Sequence, residues 1–214
     1  MNHNAFLQET SRRLLAGCRV PAHDGTILYV PDGLSYYQAL WTRDFAYMLE
    51  YAGDLIPAEE AAGCIRYLLA GQRADGVIPD RVRPDGLAVY VAGPEDQPMA
   101  GWNLDNGPFL VIAADAHLRR LPEADALARC VEWGAGLARG LDVLPLSPSG
   151  SGLVWNDPAA PHSPYGFTDT ICKTGELFFE SLLLWDACRR LSGWFDRAGG
   201  ALRARSAALR DRAE

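Results

Sequence analysis

The helical stretches of this chain come in closely linked pairs, and long polar connectors separate the pairs. In Trp41 to Gly53, the residues Trp41, Phe45, Met48, Leu49 and Ala52 recur at the spacing of one helix face. Pro57 opens the next helix in the favoured first turn. Glu59 and Glu60 follow near the positive end of its dipole, and Ala61, Cys64, Ile65, Leu68 and Leu69 form its apolar stripe. Asn103 to Leu121 and Pro122 to about Gly140 repeat the arrangement. Thr168 to Leu191 reads as the most apolar helix, ended by Ser192-Gly193, with a last helix running toward Glu214. A leading helix, Phe6 to Gly17, carries Leu7, Leu14 and Leu15 on one stripe.

Short links join antiparallel neighbours, so this rhythm predicts αα-hairpins. Each hairpin returns the chain to the end from which it set out, which gathers the long connectors on one face. A hairpin cannot bury its own apolar side alone, so neighbouring hairpins must stack. The expected class is all-α, one domain over residues 1–214. A short β-hairpin or extended loop is expected near residues 26–37, where Thr26-Ile27-Leu28-Tyr29-Val30 precedes the turn signal Pro31-Asp32-Gly33.

Composition narrows the function. Hydrophobic residues make up 49% and charged residues 22% of the 214, enough for a core and too apolar for bulk disorder. No run of 18 apolar residues could span a membrane, and Met1 to Gly17 lacks the apolar centre of a signal peptide. A net charge of -7 without a Lys/Arg block argues against a nucleic-acid partner. Lys173 is the single lysine. The five cysteines, Cys18, Cys64, Cys130, Cys172 and Cys188, show no CxxC spacing. Cys64, Cys130 and Cys172 fall in apolar helical stretches, which predicts buried reduced thiols in a cytoplasmic protein. The four histidines lack zinc-ligand spacing, and neither a metal nor a cofactor is expected.

The connectors are where chemistry concentrates. Trp41-Thr42-Arg43-Asp44, Asp75 to Asp80, Trp102 to Phe109, and Trp155-Asn156-Asp157 with Tyr165 to Thr170 each mix aromatics with carboxylates or amides. Indole and phenol faces suit the C–H faces of a pyranose, and carboxylates and amides suit its hydroxyls. Trp41, Arg43, Asp44, Asp80, Trp102, Asp105, Asn106, Trp155 and Tyr165 are therefore the candidate sugar-binding residues. Each also has a plain structural reading. Asp44, Asp105 and Asp169 fall in first helical turns, where a carboxylate caps or complements the dipole, and the tryptophans could be core. Their joint occurrence on one face favours the site, because capping needs neither an indole nor an Arg-Asp pair.

Trp41-Thr42-Arg43-Asp44 resembles the W-x-R-D motif of the six-hairpin glycosidases, the glucoamylase- and trehalase-like enzymes built on an (α/α)6 toroid. The resemblance spans roughly Tyr36 to Ala187. It implies that Arg43 and Asp44 hold hydroxyls of the reacting sugar. Leu153-Val154-Trp155-Asn156-Asp157 is similar to the L-W-E-E segment that supplies the general acid, with the carboxylate one residue later, at Asp157. Asp169 is the competing acid. Asp105-Asn106-Gly107-Pro108 looks like a substrate-facing loop. A closed toroid needs twelve helices, and six hairpin helices are read here, with the family's catalytic base lying in the other half. The resemblance thus implies an N-terminal half of a glycoside hydrolase, completed by further sequence or by a partner copy, or a chain that has lost the catalytic half. The expected partner is an oligosaccharide or glycoside substrate, with a homo-oligomer as one way to complete the ring. The alternatives are a non-catalytic carbohydrate-binding or helical interaction protein, or another chemistry on the same fold.

Overall fold

A computed structural model describes residues 3–33, 36–93, 100–163 and 172–212. Most of the described chain is helical, in seven α-helices: α1 (His3–Gly17), α2 (Thr42–Ala52), α3 (Ala58–Ala70), α4 (Asn106–Leu118), α5 (Glu123–Asp142), α6 (Phe178–Ala198) and α7 (Gly200–Asp211). The sequence signals for starts hold at α3 and α5. Pro57 and Pro122 sit at their N-caps, each followed by acidic residues in the first turn, Glu59 and Glu60 or Glu123 and Asp125.

Helices α2, α4 and α6 pack side by side, α2 on α4 and α4 on α6. A second layer lies behind them, with α3 against α4 and α5, and α5 against α6 and α7. The centre of the first layer is α4. Every residue from Asn106 to Leu118 is buried, so it has no polar face to expose. Gly107 lets α4 approach α5: a Cβ there would lie 2.2 Å from the carbonyl oxygen of Gly140. Phe45, Leu49, Ile65, Leu68, Phe109, Leu110, Leu137 and Phe195 fill the space between the layers. Burying each such side chain contributes roughly 1.5–3 kcal/mol. The first layer runs in one direction, because side chains from the N-terminal ends of α2 and α4 meet at one pole. Glu50 of α2, Asp115 of α4 and Arg190 of α6 meet near the other. Helix α1 is peripheral. None of its residues is buried, and Leu7 and Leu14 of its apolar stripe are exposed.

The connectors hold short β-strands. β1 (Arg19–Pro21) pairs antiparallel with β2 (Ile27–Tyr29), so the early hairpin forms upstream of its expected position. Its turn lies at Asp24-Gly25 rather than at Pro31-Asp32-Gly33, with Gly25 at φ 86° and Asp24 accepting from Thr26 N. β3 (Leu40–Trp41), β4 (Arg81–Val82) and β5 (Ala88–Val89) form an antiparallel three-stranded sheet. β6 (Gly101–Asn103) runs parallel to β8 (His162–Ser163), and β7 (Trp155–Asn156) runs antiparallel to β9 (Gly175–Glu176).

Three helix limits differ from the periodicity. The helix expected from Asn103 begins at Asn106, because Gly101–Asn103 is claimed by β8. The helix expected from Thr168 begins at Phe178, because Gly175–Glu176 pairs with Trp155–Asn156; residues 168–171 lie outside the described residues. Ser192-Gly193 does not end it. Ser192 is buried and its hydroxyl returns to the Arg189 carbonyl, which lets the helix continue to Ala198. The stop is Gly199, at φ 69°, whose N–H bonds the Phe195 carbonyl. All five thiols are free; Cys172 is exposed and lies outside the described helices, whereas Cys18, Cys64, Cys130 and Cys188 are buried. Burial pushes Cys64 up to about 12 and Cys130 and Cys188 up to about 11, so these thiols stay protonated. Among the described residues, no helix is long and apolar enough to cross a membrane.

Candidate functional site

The N-terminal pole of α2 and α4 is assembled by strand pairing. Trp41 ends β3 opposite Arg81 of β4, which brings Asp80 under the first turn of α2. Thr42 fixes that junction twice, its N–H on the Asp80 carbonyl at 2.9 Å and its hydroxyl on the Pro79 carbonyl at 2.7 Å. Arg43, only 1% exposed, then reaches across the pole. It donates to Asp80 Oδ1 at 2.7 Å, to Asn106 Oδ1 at 3.1 Å and to Asp105 Oδ1 at 3.4 Å. Asp80 also accepts from Asn103 Nδ2 and from Arg81 Nη1, both at 2.8 Å. Asn103 Oδ1 holds Ala92 N, and Asn106 Nδ2 holds the Ile78 carbonyl.

Burial alone would lower the pKa of Arg43. Asp105 and Asp80 outweigh that cost and hold its guanidinium above its ordinary pKa, so the cation is permanent. Buried ion pairs of this kind rarely add net stability over an apolar packing, and breaking one leaves an uncompensated charge. Asp105 is the N-cap residue of α4, yet its side chain makes no cap hydrogen bond; its carboxylate is turned to Arg43. Asp80, Asp105, Asn106 and Arg43 are thus a closed brace with no side chain left exposed.

Asp44 is different. It is half-buried in the first turn of α2 and has no side-chain hydrogen-bond partner among the described residues. Burial raises its pKa first, and Asp80 adds to the rise against the opposing pull of Arg43. A carboxylate kept half-desolvated next to a fixed cation is suited to grip a hydroxyl or to exchange a proton.

Two of the candidate indoles, Trp41 and Trp102, directly precede members of this network, Thr42 and Asn103. Trp41 is half-buried, with the Arg81 guanidinium 4.5 Å above its ring and Tyr37 edge-on at 5.8 Å. It borders an open cleft of about 460 Å³. Trp102 packs on His162 with ring centroids 4.7 Å apart and borders a second cleft of about 510 Å³ with Tyr90 and Arg73. Trp155 is half-buried in β7.

The expected acid segment is held by contacts of its own. Asn156 is wholly buried and serves as a staple. Its Nδ2 donates to the carbonyls of His162 and Lys173 at 2.8 and 2.5 Å, and its Oδ1 accepts from His162 N at 2.7 Å. Asp157 is exposed, and its Oδ1 accepts from Ala159 N at 2.8 Å, closing a turn. Among the described residues, no hydrogen bond or ion pair joins Asp157 to the Arg43 cluster. Asp169 and Tyr165 lie outside the described residues.

Sequence reasoning missed four contributors. Asn103 and Arg81 complete the Asp80 network, and Thr42 locks the junction. Alternation of Arg81 with Asp80 and the Asn103-Leu104-Asp105 spacing were the available signals. Glu180, in the first turn of α6 at the same pole, is buried with Oε1 unpartnered among the described residues. The apolar run around it hid it. No family model matches the chain, and no curated protein or solved structure matches it either.

Proposed function

We propose that the chain is a carbohydrate-active protein of the glycoside-hydrolase type, its two layers of helices forming an arc of an (α/α)6 toroid. The two-layer packing supports the arc, with α2, α4 and α6 inside and α3, α5 and α7 behind. One observation carries the functional reading: a half-buried carboxylate that no described side chain bonds, Asp44, follows a buried, ion-paired arginine at a pole bordered by half-exposed indoles. In this reading Asp44 takes a pair of sugar hydroxyls and Trp41 and Trp102 offer apolar faces. Arg43 holds Asp44 in register through the backbone of α2 rather than touching the sugar, since its Nη1 and Nη2 are engaged by Asp80, Asp105 and Asn106.

Glycosidic cleavage needs one carboxylic acid that keeps its proton and a second carboxylate across the anomeric carbon. Asp157 is exposed, and its carboxylate is tied to Ala159 N in a turn. Asp169 is therefore the stronger candidate for the acid, with Asp157 kept as the comparison. The test is calorimetric titration with neutral α-linked disaccharides, alongside a hydrolysis assay. Asp44→Asn is expected to weaken binding at least tenfold. Asp169→Asn is expected to abolish cleavage while sparing binding, and Asp157→Asn to change neither. Undiminished binding in Asp44→Asn sinks the assignment.

A further inference from the structure

We propose that an exposed stripe of α6 is the face on which two copies of this chain meet, as an antiparallel pair related by a two-fold axis. The inference stands independently of the carbohydrate reading.

A helix at the edge of a layer turns polar residues to water. The C-terminal half of α6 does so, exposing Arg189, Asp196 and Arg197. The N-terminal half does not: Phe178 is 75% exposed, and Leu182 and Trp185 are 45% exposed each. With Arg189 these residues follow one another at steps of four, three and four, which places them on one face of the helix. Gly193 continues that face one turn further. A Cβ there would meet no described atom within 4 Å, so packing inside the chain does not call for a glycine. Glycine inside a helix is destabilising relative to alanine, and the close approach of another chain supplies the reason for it.

Two features fit a second copy. The first is spacing. Steps of four, three and four read the same in either direction, so an antiparallel copy lays the stripe on itself. With the axis between residues 183 and 184, Leu182 faces Trp185 of the other copy and Phe178 faces Arg189. Gly193 then lies opposite residue 174. The Arg189 guanidinium already lies 5.4 Å from the centre of its own Trp185 ring, along the stripe and within reach of a second aromatic. The second feature is charge. A net charge of -7 opposes self-association wherever carboxylates would face each other. Here the cation of the stripe is answered within its own helix, Arg189 by Asp186 at 2.9 Å, and the axis falls among apolar side chains. A two-fold contact sets the same patch against itself, so a neutral patch with an apolar centre is what such a contact requires. Phe178, Leu182 and Trp185 together offer on the order of 350 Å² per copy, against the roughly 800 Å² per partner of a standard interface, so the pair is reversible.

Sedimentation equilibrium of the intact chain, from about 1 μM to about 1 mM, tests the proposal. The mass is expected to climb from one copy to two, with half the chains paired at about 10–100 μM. Leu182→Glu and Trp185→Lys are each expected to weaken pairing at least tenfold. Mixed in equal amounts, these two variants should pair again, because the new carboxylate faces the new ammonium while the second Leu–Trp contact stays native. Gly193→Leu should also weaken pairing, and circular dichroism of the dilute chain should show it folded. A single copy at about 1 mM overturns the proposal. A dimer that survives both charged substitutions, or assemblies larger than two, place the contact on another face and overturn it as well. Unpaired variants that do not recover on mixing, or undiminished pairing in Gly193→Leu, overturn the antiparallel register.

Discussion

Two arginine clusters tie the first layer of helices together, one at each pole, and they differ in what surrounds them. Near the C-terminal ends of α2 and α4, Arg190 of α6 donates to Asp115 and Asp186 at 2.7 Å each and to Glu50 at 3.3 Å. Trp194 Nε1 joins on Asp115 at 2.9 Å, and Arg119 on Glu50 at 2.7 Å. The Arg190 side chain is 18% exposed, so water shares the load, and all the carboxylates it touches are paired. At the N-terminal pole Arg43 is shut away from water, and its neighbour Asp44 is left half-buried without a hydrogen bond to a described side chain. The first cluster is a bolt between three helices. The second spends buried charge beside a half-buried carboxylate that no described side chain bonds, an arrangement that stability alone does not call for.

The largest expected effect tests that contrast directly. Arg43→Met leaves Asp80 and Asp105 short of their buried cation and should cost about 3–5 kcal/mol in chemical denaturation. Arg190→Met, with water able to reach its partners, should cost less, about 1.5–3 kcal/mol. If the two losses come out reversed, the distinction between brace and bolt fails.

The bolt's pole also carries an acid sensitivity. His117, in the last turn of α4, is 3% exposed, and burial, helped by the repulsion of Arg129, pushes it down to about 4 from 6.5. Glu59 opposes the shift, and Arg120 and Arg66 add to it. The unfolded chain protonates His117 near pH 6.5 and the folded one only near pH 4. Its contribution is therefore full above about pH 6.5 and drains away as the pH falls through that window, by up to about 3 kcal/mol. Urea midpoints at pH 7 and pH 4.5 measure it, and His117→Leu should flatten the difference between them.

The smallest effect on stability should come from Asp44→Asn. A carboxyl whose pKa is raised by folding costs free energy in its ionised form at neutral pH, so the isosteric amide should be neutral or stabilising by less than about 1 kcal/mol. Sugar binding should nevertheless fall. A destabilised Asp44→Asn with intact binding would make Asp44 a structural residue and erase the contrast between the poles.

Much of the helical frame was legible in the residues. Prolines at 57 and 122 with acidic first turns, and stripes such as Ala61, Cys64, Ile65 and Leu68, depend on neighbours three and four positions away, which is local information. The Arg43-Asp44 pair was legible as a cluster, and Asp105 and Asn106 as its companions. The failures share a different cause. Asn103 left the helix for a strand with Ser163, and Gly175 paired with Asn156; each was decided by a partner at the other end of a loop.

Sequence alone determined that this chain makes paired helices with polar connectors between them, because periodicity, proline placement and first-turn charge act within a few residues. Tertiary structure decided which carboxylates became permanent partners of Arg43 and which one stayed unbonded. That choice turned on burial and on strands closing between residues 40 and 82 and between 101 and 163. Desolvation and cross-strand register are properties of the assembled molecule, and no window of the chain carries them.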